Sequence, residues 1–403
     1  MESRHTPEIR FAGFSGEWEE RNFQDFTLLS QGLQIAIDKR HLVPGKNRMF
    51  YITNEFLNPN SDKRYYIESP SKSVIAKEED ILMTRTGNTG KVVTNVEGAF
   101  HNNFFRIAYN NKETAKLFLY YLLNSSPIQK EILVRAGTST IPDLNHNDFY
   151  KIKVNTPQYE EQTQVGNFFK QLDDAIALHQ QELTTLKQTK QGFLQKMFPK
   201  EGESIPEVRF PGFTGEWEER KVKDFSEETF GGGTPKTSIK EYWNGEIPWI
   251  QSSDLEEHQV SSIFAKKKIT KKGLQNSATK LIPKNSIAIV TRVGVGKIAL
   301  IQFEYATSQD FLSLSNLKVN EWFGVYSLYN QLQKELHNVQ GTSIKGITKN
   351  ELLEKKINIP TDLKEQIKIG NFFKKLDNTI ALHQRELDAL KETKKAFLQK
   401  MFV

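Results

Sequence analysis

Two glycine turns flanked by basic residues are where this chain has the residue types for chemistry. Thr84 to Lys91 reads TRTGNTGK and Thr291 to Lys297 reads TRVGVGK. Each has strand-like sequence before it. Glycine lets a backbone approach a partner closely, and a cation beside exposed amides suits a phosphate. An arginine fork also fits the O6/N7 edge of guanine. Arg85, Thr86, Asn88, Thr89 and Lys91 are the candidates in the first turn, and Arg292 and Lys297 in the second. Alignment by identity sets Arg85 against Arg292 and leaves the second turn one residue shorter. The competing interpretation is a hairpin turn with solvated charges. Two Gly-Thr-Ser triplets repeat the theme: Thr138 and Ser139 in the first, Thr342 and Ser343 in the second, with Lys345 just beyond. Hydroxyls there suit phosphate contact or a plain turn. Between Gly231 and Asp254, Thr234, Lys236, Ser252 and Ser253 are further contact candidates, while Trp243 and Trp249 read as core. The run AKKKITKK, Ala265 to Lys272, follows a phosphate backbone or forms a solvated face.

Enzyme motifs are missing. There is no G-x-x-x-x-G-K-[ST] phosphate loop, no G-x-G-x-x-G opening a helix, no H-E-x-x-H metal spacing and no G-x-S-x-G elbow. With no cysteine, disulfide scaffolds and cysteine–zinc sites are excluded. A formal charge of +6 leans toward a polyanionic partner. No signal-like opening or bilayer-length apolar run occurs, so a cytoplasmic protein without membrane contact is expected.

The elements that must position these turns are duplicated. Glu161 to Phe198 and Glu365 to Phe402 are proline-free and identical at roughly two-thirds of their positions. In both, large residues recur in steps of three and four. Leu172, Ile176, His179, Leu183 and Leu186 recur as Leu376, Ile380, His383, Leu387 and Leu390. That step marks helices that pair along one seam, here also a surface for docking partners. A seam histidine is far more often a packing device than a catalyst. PEIRFAGFSGEWEER, Pro7 to Arg21, recurs as PEVRFPGFTGEWEER, Pro206 to Arg220, and its aromatics read as a packing plug. The expected division is a repeat segment (1–21), a mixed block (22–158), a helix (159–198), a second repeat segment and linker (199–220), a second block (221–361) and a second helix (362–403). The fold class is α+β: two mixed α/β blocks separated by two long helices packed as an antiparallel coiled coil, with a pseudo-twofold internal repeat. A helix of 38 residues is about 57 Å long, more than one turn of B-DNA.

These repeats, with the GGTP…EYWNGEIPWIQSSDL run, resemble the specificity subunit of type I restriction-modification enzymes over essentially the whole chain. The first block departs most, with LLSQGLQIAIDKRHLVPGKNRMFYI where the second has GGGTPKTSIKEYWNGEIPW. The resemblance implies that each block is a target-recognition domain reading half of a split sequence in double-stranded DNA. It implies that the helices set the spacer and dock two modification (methyltransferase) subunits, with two restriction (translocase and nuclease) subunits added. It further implies that this chain is non-catalytic and holds no cofactor. S-adenosylmethionine, ATP and Mg would belong to the partners. The alternative is a coiled-coil scaffold with two protein-binding domains, which leaves the basic glycine turns unexplained.

Overall fold

A computed structural model describes residues 5–137, 140–261, 263–338 and 346–402. The chain divides into two compact units, Met1–Gln180 with Glu386–Val403, and Gln181–Arg385. The division cuts across the sequence repeat, because each long helix contributes to both units.

The two helices run over Tyr159–Lys196 and Leu363–Lys400, 38 residues each. Glutamates in the first turn and a lysine in the last suit the helix dipole. In the first unit, Phe169 of the first helix stacks on Phe402, and Phe168 meets Phe397 edge-on, at centroid distances of 5.6 and 5.1 Å. Asp173, further along, pairs with Lys394 at 2.5 Å. Positions that rise on one helix fall on the other, so the pair is antiparallel. The second unit repeats this with roles exchanged: Phe373 stacks on Phe198, Phe372 meets Phe193, and Asp377 pairs with Lys190 at 2.5 Å.

Each helix also packs by its backbone onto the block before it. A Cβ added at Gly166 would lie 2.7 Å from Leu117 Cβ and Phe118 N, and one at Gly370 would lie 2.7 Å from Phe323 N. Only hydrogen fits there. The seam residues face inward. Leu183 and Leu387 are buried; Leu172, Ile176, His179, Leu186, Leu376, Ile380, His383 and Leu390 are half-buried.

Within the first block a four-stranded antiparallel sheet has the order Thr27–Gln31, Phe104–Tyr109, Ile81–Thr84, Val92–Thr94. The second block matches it with Ser226–Gly231, Phe311–Leu317, Ser286–Val290, Ile298–Ile301. A second sheet in each is built on one parallel pair, Arg48–Ile52 with Gly98–Phe100, and Trp243–Ile250 with Ala306–Thr307. The apolar stretch before Ser125 is the helix Lys116–Asn124, and a further helix, Ser126–Ala136, begins at once with Pro127 in its first turn. Proline there forfeits no helical hydrogen bond, so it starts a helix rather than a loop. The second block has one longer helix instead, Glu321–Asn338.

The plugs are more than aromatic packing. Arg10 donates from Nε and Nη2 to the two carboxylate oxygens of Glu161, both at 2.7 Å, and from Nη1 to the Gly16 carbonyl. Trp18 Nε1 donates to the same carboxylate. Arg209 grips Glu365 identically, at 2.7 Å twice, and bonds the Gly215 carbonyl. Both glutamates are almost wholly buried. Ile9 N donates to the Lys400 carbonyl and Val208 N to the Lys196 carbonyl. Each plug thus ties the start of one helix to the end of the other, within a unit.

Candidate nucleic-acid interface

Hydrogen bonds, not identities, set the correspondence between the two glycine turns. Thr84 N donates to the Lys91 carbonyl, and Val290 N to the Lys297 carbonyl. Arg85 N donates to Asn103 O, and Thr291 N to Asp310 O. Leu144 N donates to Arg85 O, and Ile347 N to Thr291 O. The turns are therefore equally long. Arg85 occupies the place of Thr291, and Arg292 occupies the place of Thr86. Matching Arg85 with Arg292 is wrong by one residue, and successive residues leaving a strand point to opposite sides.

In the first turn most side chains are spent on holding it. Arg85 Nη2 donates to Asp143 at 2.7 Å and Nε to the Leu144 carbonyl, with the guanidinium over Phe105. Thr86 forms a backbone bridge with Asp143, and Asn54 donates to the carbonyls of Thr86 and Gly87. Thr84 Oγ1 donates to the Asn88 carbonyl, and Thr89 Oγ1 to those of Arg85 and Pro142. Asn88 takes a positive φ of 65°. Asn88 and Lys91 keep exposed side chains.

The second turn has Val290 and Val295 where the first has Thr84 and Thr89, so those two hydroxyl braces are gone; Thr291 Oγ1 donates to the Asp310 carbonyl instead, and among the described residues no side chain matches the bonds of Asn54. Arg292 is exposed and has no hydrogen bond or ion pair among the described residues. With Gly231, Gly232, Thr291, Thr348 and Lys349 it lines an open cleft of about 550 Å³. Lys297 turns inward instead, donating to the Leu255 carbonyl at 2.8 Å. Thr234 Oγ1 donates to Gln309, another residue of the cleft rim, at 2.6 Å. Ser252 sits under the turn at Gly294. Ser253 and Lys236 are exposed, and their carbonyls accept from Lys266 and from the Trp243 indole. Trp249 is buried and Trp243 half-buried. Thr138, Ser139, Thr342, Ser343 and Lys345 lie outside the described residues. Lys349, which the sequence did not single out, lines the same cleft as Arg292 and donates to Thr229 Oγ1 at 2.8 Å; an isolated surface lysine gives no pattern to find.

A residue set missed in the sequence lies under the helices. Tyr121 donates to Asp173 at 2.7 Å, and Lys394 pairs with the other carboxylate oxygen. Tyr326 donates to Asp377 at 2.6 Å, and Lys190 pairs with its other oxygen. Burial and the neighbouring carboxylate push both phenols well above their ordinary pKa, so each remains a hydrogen-bond donor. These triads tie each long helix to the block before it and to the other helix.

The family model for the type I restriction modification DNA specificity domain matches residues 16–188 and 214–392, once per repeat. The chain belongs to that family. Sequence-specific DNA recognition within a type I restriction-modification system is the role this membership gives it. Among relatives, the MjaVIII specificity subunit of Methanocaldococcus jannaschii is 24% identical over 95% of this chain and 91% of its own length. The EcoR124I/EcoR124II specificity subunit of Escherichia coli is 27% identical over 66% of this chain and 65% of its own. The fold is that of the type I S subunit from M. genitalium, with a TM-score of 0.64, 15% identity and 99% of both chains covered. Specificity subunits of this family work in complexes with other restriction-modification subunits and DNA. Among the described residues, no helix of this one is long and apolar enough to cross a membrane.

Proposed function

We propose that each unit of this specificity subunit reads one half of a bipartite double-stranded target. The length of the two helices sets the number of unread base pairs between the halves. The observation that carries this reading is a shared scaffold with unlike turns. The strand order, clamp and helix packing repeat, whereas the side chains of the two glycine turns do not. A duplicated frame holding different surfaces suits two different half-sites.

The second half-site is read from the cleft of Arg292 and Lys349, with Thr234, Lys236, Ser252 and Ser253 contributing hydroxyl and amino groups. The first is read from Asn88, Lys91 and the neighbouring loops, with Arg85 holding the turn. Two modification subunits dock on the outward faces of the helices, because the seam residues are already used in pairing. Leu178 and Leu382, at equivalent positions and half exposed, are the apolar anchors. Two restriction subunits complete the complex. The chain is non-catalytic and cytoplasmic; S-adenosylmethionine, ATP and Mg are held by its partners.

The test is to map methylated adenines in DNA exposed to the assembled complex, then repeat with one heptad removed from both helices. A shortened spacer between unchanged half-sites is expected. An unchanged spacer rules out the role given to the helices, and a single undivided target rules out one half-site per unit.

A further inference from the structure

In the first unit the loop after strand Thr27–Gln31 displays apolar side chains to solvent. Ile37, Leu42 and Val43 are 74%, 64% and 61% exposed. Such exposure is ordinary for one residue but not for three within seven positions of a rigid loop. The loop is rigid because Arg40 braces it. Its Nε and Nη2 donate to the Ile35 carbonyl at 2.9 and 2.7 Å, and its guanidinium lies over Tyr51 and Tyr65. Tyr51 Oη donates to the Leu33 carbonyl, and His41 exchanges two backbone hydrogen bonds with Tyr66. The apolar groups are held outward at little further entropic cost on binding.

Charge identifies the occupant. Between Gln34 and Arg48 stand Lys39, Arg40, Lys46 and Arg48 against the carboxylate of Asp38; Arg40 is used in the brace and Arg48 pairs with Glu68 at 3.6 Å, which leaves the two lysines. Lys39 and Lys46 have no ion pair among the described residues. The loop is also continuous with the glycine turn: Asn102 N donates to Leu33 O, and the next residue, Asn103, accepts from Arg85 N. Aliphatic groups amid free cations, beside the turn, fit the edge of a duplex, whose apolar groove feature is the thymine 5-methyl. The second unit has Thr234, Lys236, Thr237, Ser238 and Lys240 after the matching strand.

We propose that Ile37, Leu42 and Val43 are base contacts through which the first unit recognises thymine methyl groups in its half-site. This rests on the DNA reading proposed above. The test uses the full chain in complex with its modification subunits and the target duplex found by methylation mapping. Each thymine is replaced in turn by deoxyuridine, which removes only the methyl group, and affinity is read by fluorescence anisotropy. For the wild type, uracil at one or more positions of one half-site weakens binding about fourfold per contacted methyl. The Ile37→Ser/Leu42→Ser/Val43→Ser chain is weaker on the thymine duplex and indifferent to uracil in that half-site. The three positions are exposed, and an unchanged urea midpoint shows the fold is kept; Ile37→Ser alone supplies the same test if it is not.

A wild type indifferent to uracil throughout, a half-site lacking thymine, or a triple variant with the full uracil penalty overturns the proposal. So does a triple variant that fails only in subunit assembly, which assigns the loop to a protein partner. If wild type distinguishes target from scrambled duplex and uracil is neutral, only this inference falls. If it does not distinguish them, the DNA reading falls first.

Discussion

The two units have the same hydrogen-bonded frame and spend their side chains differently on it. In the first, threonines, Asn54 and the Arg85–Asp143 pair fasten the glycine turn from several sides. In the second, fewer side chains hold the turn, chiefly Thr291 Oγ1 on the Asp310 carbonyl and Lys297 Nζ on that of Leu255, and Arg292 has no hydrogen bond or ion pair among the described residues. The helix triads show the opposite trend. Lys190 and Asp377 are 7% and 6% exposed, whereas Lys394 and Asp173 are 25% and 35% exposed. The first unit is tight at its surface and looser beneath its helices; the second reverses that. A duplicated backbone does not oblige its copies to place rigidity in the same spot.

The largest effect that probes this contrast is under the helices. Asp377→Ala leaves Lys190 charged and buried beside Tyr326, and should cost about 3–5 kcal/mol of stability in urea unfolding. Asp173→Ala should cost about 1 kcal/mol, because water reaches Lys394. Equal losses would erase the difference. Next comes Arg292. Arg292→Ala should weaken binding to the cognate duplex by about 1–3 kcal/mol if a base is contacted, measured against scrambled DNA. Equal loss on both duplexes would leave it a phosphate contact. Arg85→Ala should instead lower unfolding stability by about 0.5–1 kcal/mol, and Asp143→Ala should reproduce it. A loss of specificity from Arg85→Ala that Asp143→Ala does not share would restore Arg85 as a reader.

The remaining contrast is a pH difference. Burial, helped by Arg40, depresses the His101 pKa from 6.5 to about 4, and the equivalent place in the second unit is Ser308. Protonation is favoured in the unfolded chain first, so the stability present above pH 6.5 declines as pH falls toward 4. The urea midpoint should fall more between pH 7 and pH 5 in wild type than in His101→Asn. Equal falls would show that His101 is not the sensor.

Much of this was readable in advance. Proline-free ladders and a duplication identical at roughly two-thirds of its positions disclose both helices, and their shared motifs disclose the family. The turn correspondence was not readable, because TR occurs in both turns and matching letters outweighed strand register. Register is set by Asn103 and Asp310, which lie far along the chain and resemble nothing around them. The arginine–glutamate clamps were legible in principle: RF and EQ occur in both copies, and a repeated arginine needs a repeated acid. The Tyr–Asp–Lys triads gather residues from three separate segments, which no local spacing discloses.

Phe402 is buried against Phe118 and Phe169, so a segment made after the whole second unit lies in the core of the first. During synthesis, that unit must wait on the ribosome with part of its interior open until translation has passed Phe402. The second unit is drawn from one unbroken stretch and has no such wait. The earlier-made half therefore closes last, and a chain cut short by early termination exposes its first unit's interior to chaperones and proteases.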